Sequence, residues 1–186
     1  LHVGDSVMDL LHDLSIGNPP EELNVVIEIP RYSAKKYEVD KETSLIFHDR
    51  VFYGSMVYPT DYGFVPQTYW YDDDPLDVMV LSTFSLQPGM LVVVRPVGVL
   101  RMIDGGDRDE KIIAVPVKDP RFSDTKDLSD LPEHFQKEVR HFYERYKELE
   151  GKVVEVKEFE GRGAAVAVVK EAMELYQKKF GASMSG

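Results

Sequence analysis

The chain has 186 residues, a formal net charge of −11 and no cysteine. A chain of this length buries roughly 70% of its unfolded surface without a covalent staple, and the lack of cysteine excludes disulfides, thiolate nucleophiles and zinc–thiolate sites. The acidic balance argues against a nucleic-acid surface, which needs clustered Lys and Arg to displace counterions, and no apolar run approaches the roughly 18 residues of a membrane span. The first fourteen residues lack a basic stretch followed by an apolar core, so no export signal is expected and a soluble, cytoplasmic protein is.

Residues 1–186 read as one domain opened by an irregular lead-in over 1–23, which carries Gly17, Pro19 and Pro20. Asn24 to Ile29 reads as a strand closed by Pro30, and Lys36 to Val39 and Leu45 to Val51 continue the period-two pattern. That period puts Lys36 and Glu38 side by side, opposite Tyr37 and Val39. Tyr53 to Tyr71 is aromatic and turn-rich, with Gly54, Pro59, Gly63 and Pro66. Strands resume at Asp77 to Leu81, Met90 to Met102 and Lys111 to Val117, the last two joined by a hairpin loop carrying Gly105 and Gly106. If that ladder continues, Asp109 and Lys111 share a face.

Helical signals come late. Asp130 is positioned to cap a helix with Pro132 in its first turn and Glu133 three residues on. Phe135, Val139, Phe142, Tyr146 and Leu149 form its apolar stripe, ended by Gly151. A strand over Lys152 to Lys157 and a second helix from Ala164 to Phe180 follow. A β-rich core with one or two late helices predicts a small barrel or strongly curved sheet, mainly β within the α+β class.

The run Asp72-Asp73-Asp74-Pro75-Leu76-Asp77 places four carboxylates in six residues, just before the apolar Val78-Met79-Val80-Leu81. Two carboxylates about 4 Å apart repel by roughly 4 kcal/mol at an effective dielectric near 20, so a cluster held against a rigid sheet calls for cations. Pro75 fixes its own φ and biases Asp74 toward extended backbone. The run is not an EF-hand: counted from Asp72, positions five, six and twelve are Leu76, Asp77 and Thr83. A solvated acidic turn is the alternative. A second acidic group, Asp104, Asp107, Asp109 and Glu110, precedes Lys111. His134 and His141 lie on one helix face and suggest a surface or subunit contact, while His2, His12 and His48 have no recognisable spacing. No HExxH, GxSxG, P-loop or GxGxxG pattern is present.

Taken in order, these residues resemble the soluble family I inorganic pyrophosphatases. The likeness rests on the DxDPxD core at Asp72 to Asp77, with Ile27-Glu28-Ile29-Pro30, Lys36-Tyr37-Glu38, Asp49-Arg50, Tyr58-Pro59, Asp61-Tyr62-Gly63, Arg95-Pro96-Val97-Gly98, Asp104, Asp109, Lys111 and His141-Phe142 through Tyr146-Lys147 around it. The resemblance implies a five-stranded OB-type barrel with two C-terminal helices. It implies hydrolysis of pyrophosphate to two orthophosphates, in which a metal-bridged water or hydroxide attacks phosphorus in line. Several Mg²⁺ ions would serve, with Mn²⁺ or Co²⁺ as substitutes, in a homohexamer. Carried over by position, Asp72, Asp77 and Asp109 would bind activating metals, Asp77 bridging two, and Asp104, Asp109 and Glu38 would help hold metals arriving with substrate. Asp74 matches the catalytic base. Lys36, Arg50, Tyr62, Lys111, Tyr146 and Lys147 match the groups gripping phosphate, while Glu28 and Tyr58 would line the cavity.

Three positions depart from the family pattern: Asp73 stands where Gly is usual, the region of Phe159 is where microbial members commonly place Trp, and Arg145 falls where some members carry a second interface histidine. Rival readings are a related phosphohydrolase acting on polyphosphate or nucleotides, a non-catalytic OB-type binding module, and a passive metal-binding protein.

Overall fold

The structure, a computed structural model, describes residues 8–181. In chain order the strands are β1 (Gly17–Asn18), β2 (Glu22–Ile29), β3 (Lys35–Val39), β4 (Ile46–Val51), β5 (Asp61–Phe64), β6 (Asp77–Val80), β7 (Leu91–Asp104), β8 (Asp107–Arg108) and β9 (Lys111–Pro116). Helix α1 (Glu133–Arg145), strand β10 (Val154–Gly161) and helix α2 (Arg162–Phe180) follow. His2 lies outside the described residues. No described helix is long and apolar enough to cross a membrane.

The main sheet closes on itself. Its order runs β2, β5, β6, β9, β7, and β7 pairs back onto β2, giving a ring of five strands. All five pairings are antiparallel except β6 with β9. Closure depends on the 14-residue β7, whose ends pair with different partners: Leu91 to Val94 with β2, and Gly98 to Asp104 with β10. A register shift between Pro96 and Gly98 bends it, as bulges do at barrel corners. The second sheet is the hairpin β3–β4, in which Lys36 opposes Arg50.

Both faces of the barrel wall are covered, so its strands read as continuous apolar runs instead of alternating ones. Val78 and Val80 face a core shared with Ala165, Val168, Val169 and Ala172 of α2, while Met79 between them faces Val139, Phe142 and Tyr143 of α1. Each such side chain contributes about 1.5–3 kcal/mol when fully buried. The α2 stripe follows the spacing of one helix face.

Several expectations are revised. The turn-rich segment after Tyr53 contains β5, whose four residues are all buried; a Cβ on Gly63 would lie 2.0 Å from the Val26 carbonyl oxygen, so only glycine lets β5 approach β2. Asp130 does not cap α1: it reciprocates a capping box with Asp127 around a short 3-10 turn, and Pro132 precedes the helix. Helix α1 ends at Arg145, so Leu149 falls in a separate turn and is 68% exposed. Gly151, at φ 70°, ends that turn, and β10 begins at Val154 and runs on to Gly161. Within the lead-in, β1 pairs with β2, and Leu10, Leu11 and Leu14 pack on Val26, Val39 and Phe64.

Candidate active site

The acidic side chains converge because of one strand pairing. In the parallel β6–β9 pair Asp77 is the register partner of Lys111, and Lys111 Nζ donates to Asp77 Oδ2 at 2.6 Å. Gly105 and Gly106, both at positive φ, turn the chain from β7 into β8 and bring Asp109 back, its N–H bonded to the Met102 carbonyl at 3.0 Å. Lys111 Nζ also reaches Asp109 Oδ1 at 2.5 Å, so the two do share a face. Asp72 completes the group: one oxygen from each of Asp72, Asp77 and Asp109 lies within 4.8 Å of the others.

One ammonium cannot neutralise three carboxylates. Burial, reinforced by Asp77 and Asp109, pushes Asp72 up to about 8. Burial also raises Asp77, against the pull of Lys111. Asp109 stays below the usual carboxylate range, because the charge and hydrogen bond of Lys111 outweigh its burial. Lys111 is held well above its usual value by Asp109 and Asp77 despite its own burial. The surplus negative charge and all-oxygen donor set fit a hard divalent cation such as Mg²⁺.

These groups line a cavity of about 300 Å³. Its other walls pair cations with anions. Lys36 Nζ is 2.5 Å from Glu38 Oε1, as their spacing on β3 predicts, and Lys147 is paired with Asp104. Tyr146 lies just past the end of α1, and Tyr58 and Tyr62 contribute rings. Glu28, half-buried, also lines the cavity, accepting from Val39 N–H at 2.9 Å, and desolvation pushes its carboxyl up to about 8.

Sequence comparison places this cavity in context. Residues 25–177 match the sequence model of the inorganic pyrophosphatases. The chain belongs to the inorganic pyrophosphatase family. It is 46% identical over 170 residues to the soluble inorganic pyrophosphatase 2 of Chlamydomonas reinhardtii, covering 91% of this chain and 88% of that protein. With the inorganic pyrophosphatase of Picrophilus torridus it shares 44% over 172 residues, 92% and 97% of the two chains. The solved inorganic pyrophosphatase of Thermus thermophilus superposes with a TM-score of 0.88 at 42% identity, covering 91% and 99%. The fold shared with these pyrophosphatases is the OB-type barrel.

Of the site residues expected from the family pattern, all but Arg50 line the cavity. Arg50 is drawn behind the wall, where its Nη1 lies 2.5 Å from Asp49 Oδ2 and its Nε 2.8 Å from Glu150 Oε1. Asp74 is half-exposed and ion-paired with Lys41 at 2.6 Å, apart from the three-carboxylate group. Asp73 occupies a left-handed position at φ 67°, a conformation that favours glycine, the residue expected here from the family pattern. Its carboxylate turns away from the metal-competent group, engaged by Tyr69 and by Lys179 of α2.

Two polar cavity residues escaped the sequence reading. Tyr143 is buried three residues before Tyr146, a spacing that signals a shared helix face but is equally that of an ordinary core tyrosine. Lys41 sits in the turn between β3 and β4, where nothing in the sequence links it to Asp74.

Proposed function

We propose that this chain hydrolyses inorganic pyrophosphate to two orthophosphates with Mg²⁺, with Mn²⁺ or Co²⁺ as substitutes. The observation that carries the reading is the convergence of Asp72, Asp77 and Asp109 beside a wall of lysines and tyrosines in one small cavity. An acidic protein could hold a polyanion in this way: cations held by the carboxylates would offset its charge, and basic side chains would meet the remainder.

Asp72, Asp77 and Asp109 would hold the resident cations. When bound, the cations supply charge neutralisation and lower the pKa of coordinated water. The Glu38–Lys36 and Asp104–Lys147 pairs each present a carboxylate to metals entering with substrate and an ammonium to its phosphate oxygens. Tyr62, Tyr146 and Lys111 orient the same oxygens, and Lys111 offsets charge on the departing phosphate. Asp74, its carboxylate half-exposed and ion-paired with Lys41, is the carboxylate placed to take a proton from the attacking water. Tyr58 and Glu28 close the back of the cavity. Arg50 acts at one remove, through Asp49, whose Oδ2 is 4.0 Å from Lys36 Nζ.

We assign the protein to the cytoplasm and to a homohexamer, in keeping with its family pattern. Exposed Phe47 and Val51 on β4 offer apolar surface to a second copy. Sedimentation tests the assembly. Phosphate release tests the activity: pyrophosphate with Mg²⁺ should be cleaved far faster than tripolyphosphate or a nucleoside triphosphate, and release should stop with a chelator. Preference for a longer substrate would make the chain a different phosphohydrolase, and oligonucleotide binding without turnover would make it a binding module.

A further inference from the structure

Strand pairing positions Asp77 and Lys111, and a backbone hydrogen bond positions Asp109, but Asp72 lies in a loop outside the sheet. A cation site tolerates about 0.2 Å in its ligand distances, so the spacing of Asp72 from Asp109 needs its own restraint.

A candidate runs behind the cavity. Glu110, flanked by the cavity residues Asp109 and Lys111, turns the other way and is 4% exposed. Its Oε2 accepts from Trp70 Nε1 at 2.6 Å, and its Oε1 from Arg108 Nε at 3.0 Å and Arg101 Nη1 at 3.4 Å. Trp70, 1% exposed, frames the acid loop with its backbone: its N–H donates to the Asp74 carbonyl at 2.8 Å, and its carbonyl accepts from Asp73 N–H at 3.3 Å. One indole hydrogen bond thus ties the loop carrying Asp72 to the residue next to Asp109. The arrangement is braced from outside. The Arg108 guanidinium lies 4.9 Å from the Trp70 ring centroid and 4.5 Å from that of Tyr71, and both Tyr71 and Arg108 bond Glu171 of α2.

We propose that the Trp70–Glu110 hydrogen bond is a positioning tie that sets the distance between Asp72 and Asp109, and with it the affinity for the first divalent cation. This rests on the reading of those carboxylates as metal ligands. Neither Trp70 nor Glu110 lines the cavity, so each acts only through the acid residues beside it.

The test is Mn²⁺ binding to the metal-free full chain, followed by titration calorimetry without substrate. Glu110→Gln and Glu110→Met both remove the charge, but only Gln keeps an acceptor for the indole. We expect Glu110→Met to weaken Mn²⁺ binding about tenfold, the scale seen when groups orienting metal ligands are removed, and Glu110→Gln to stay within about threefold of the native chain. Trp70→Phe removes the donor while leaving Glu110 with both arginines, and should match Glu110→Met. Each end of the tie has its own variant, so if one fails to fold the other decides. Equal affinities in Glu110→Met and Glu110→Gln, or native affinity in Trp70→Phe, would overturn the tie. Native Mn²⁺ uptake that survives Asp77→Asn unchanged would instead overturn the metal-ligand reading, and the tie with it.

Discussion

Asp77 and Lys111 face each other across the one parallel pairing of the barrel, with Lys111 Nζ 2.6 Å from Asp77 Oδ2. In this pair Lys111 does for the metal-free protein part of what divalent cations would do for the loaded one. It offsets carboxylates packed within 4.8 Å of one another.

Lys111→Met should therefore lower the stability of the metal-free chain by about 3–5 kcal/mol, the usual cost of leaving a buried charge without its partner. Millimolar Mg²⁺ should recover much of that loss by taking over the neutralising role. Urea unfolding with and without chelator checks it. A deficit untouched by Mg²⁺ would mean the cation does not bind among these carboxylates.

Below pH about 8 the metal-free chain keeps a proton on Asp72, and a cation must displace it. Metal uptake should release protons, and affinity should rise with pH up to about 8 and then level off. Calorimetry in buffers of different ionisation enthalpy measures the release. A pH-independent affinity would exclude Asp72 from the ligands.

Glu28 makes a stability prediction whose sign follows from linkage. Its carboxyl titrates near 4.5 when unfolded and is raised to about 8 when folded. Between those values the native state holds the extra proton, so metal-free stability falls as pH rises, by roughly 1.4 kcal/mol per unit. Glu28→Gln keeps an acceptor for Val39 N–H and lacks the titration. Its stability relative to the parent should climb steadily from pH 5 to 7.5 in denaturant unfolding with chelator present, and a constant difference would show that Glu28 is already ionised.

Asp74→Asn separates a base from a ligand. Because Asp74 pairs with Lys41 and stands outside the three-carboxylate group, the variant should lose about 10²–10⁴-fold in kcat while binding Mn²⁺ like the parent. Losing both to the same degree would make Asp74 a metal ligand.

The strands and the second helix were legible because both faces of the barrel wall and one face of α2 are buried, which leaves apolar runs and helical spacing in the sequence. Strand β5 was not, because its signal is a close backbone approach at Gly63 and not a hydrophobic pattern. The end of α1 was misread for a related reason. Leu149 keeps the spacing of the helical stripe, but Glu148–Glu150 forms a separate 3-10 turn that carries Leu149 into solvent. At the site, the Lys36–Glu38 pair followed from strand alternation, whereas Asp109 lies in the link between β8 and β9 and meets Lys111 through the turn and the Met102 hydrogen bond. The placement of Arg50 did not follow, since its partner Glu150 comes from a turn a hundred positions later in the chain.

The order of residue types along this chain was enough to define its family, its β-rich class and most of the polar groups that line the cavity, since each of those is a property of local pattern. Which carboxylates converge was decided only by folding. Repulsion and neutralisation depend on separations of a few ångströms through space, and these depend on the β6–β9 register and the hydrogen bond between Trp70 and Glu110, neither of which a linear spacing encodes.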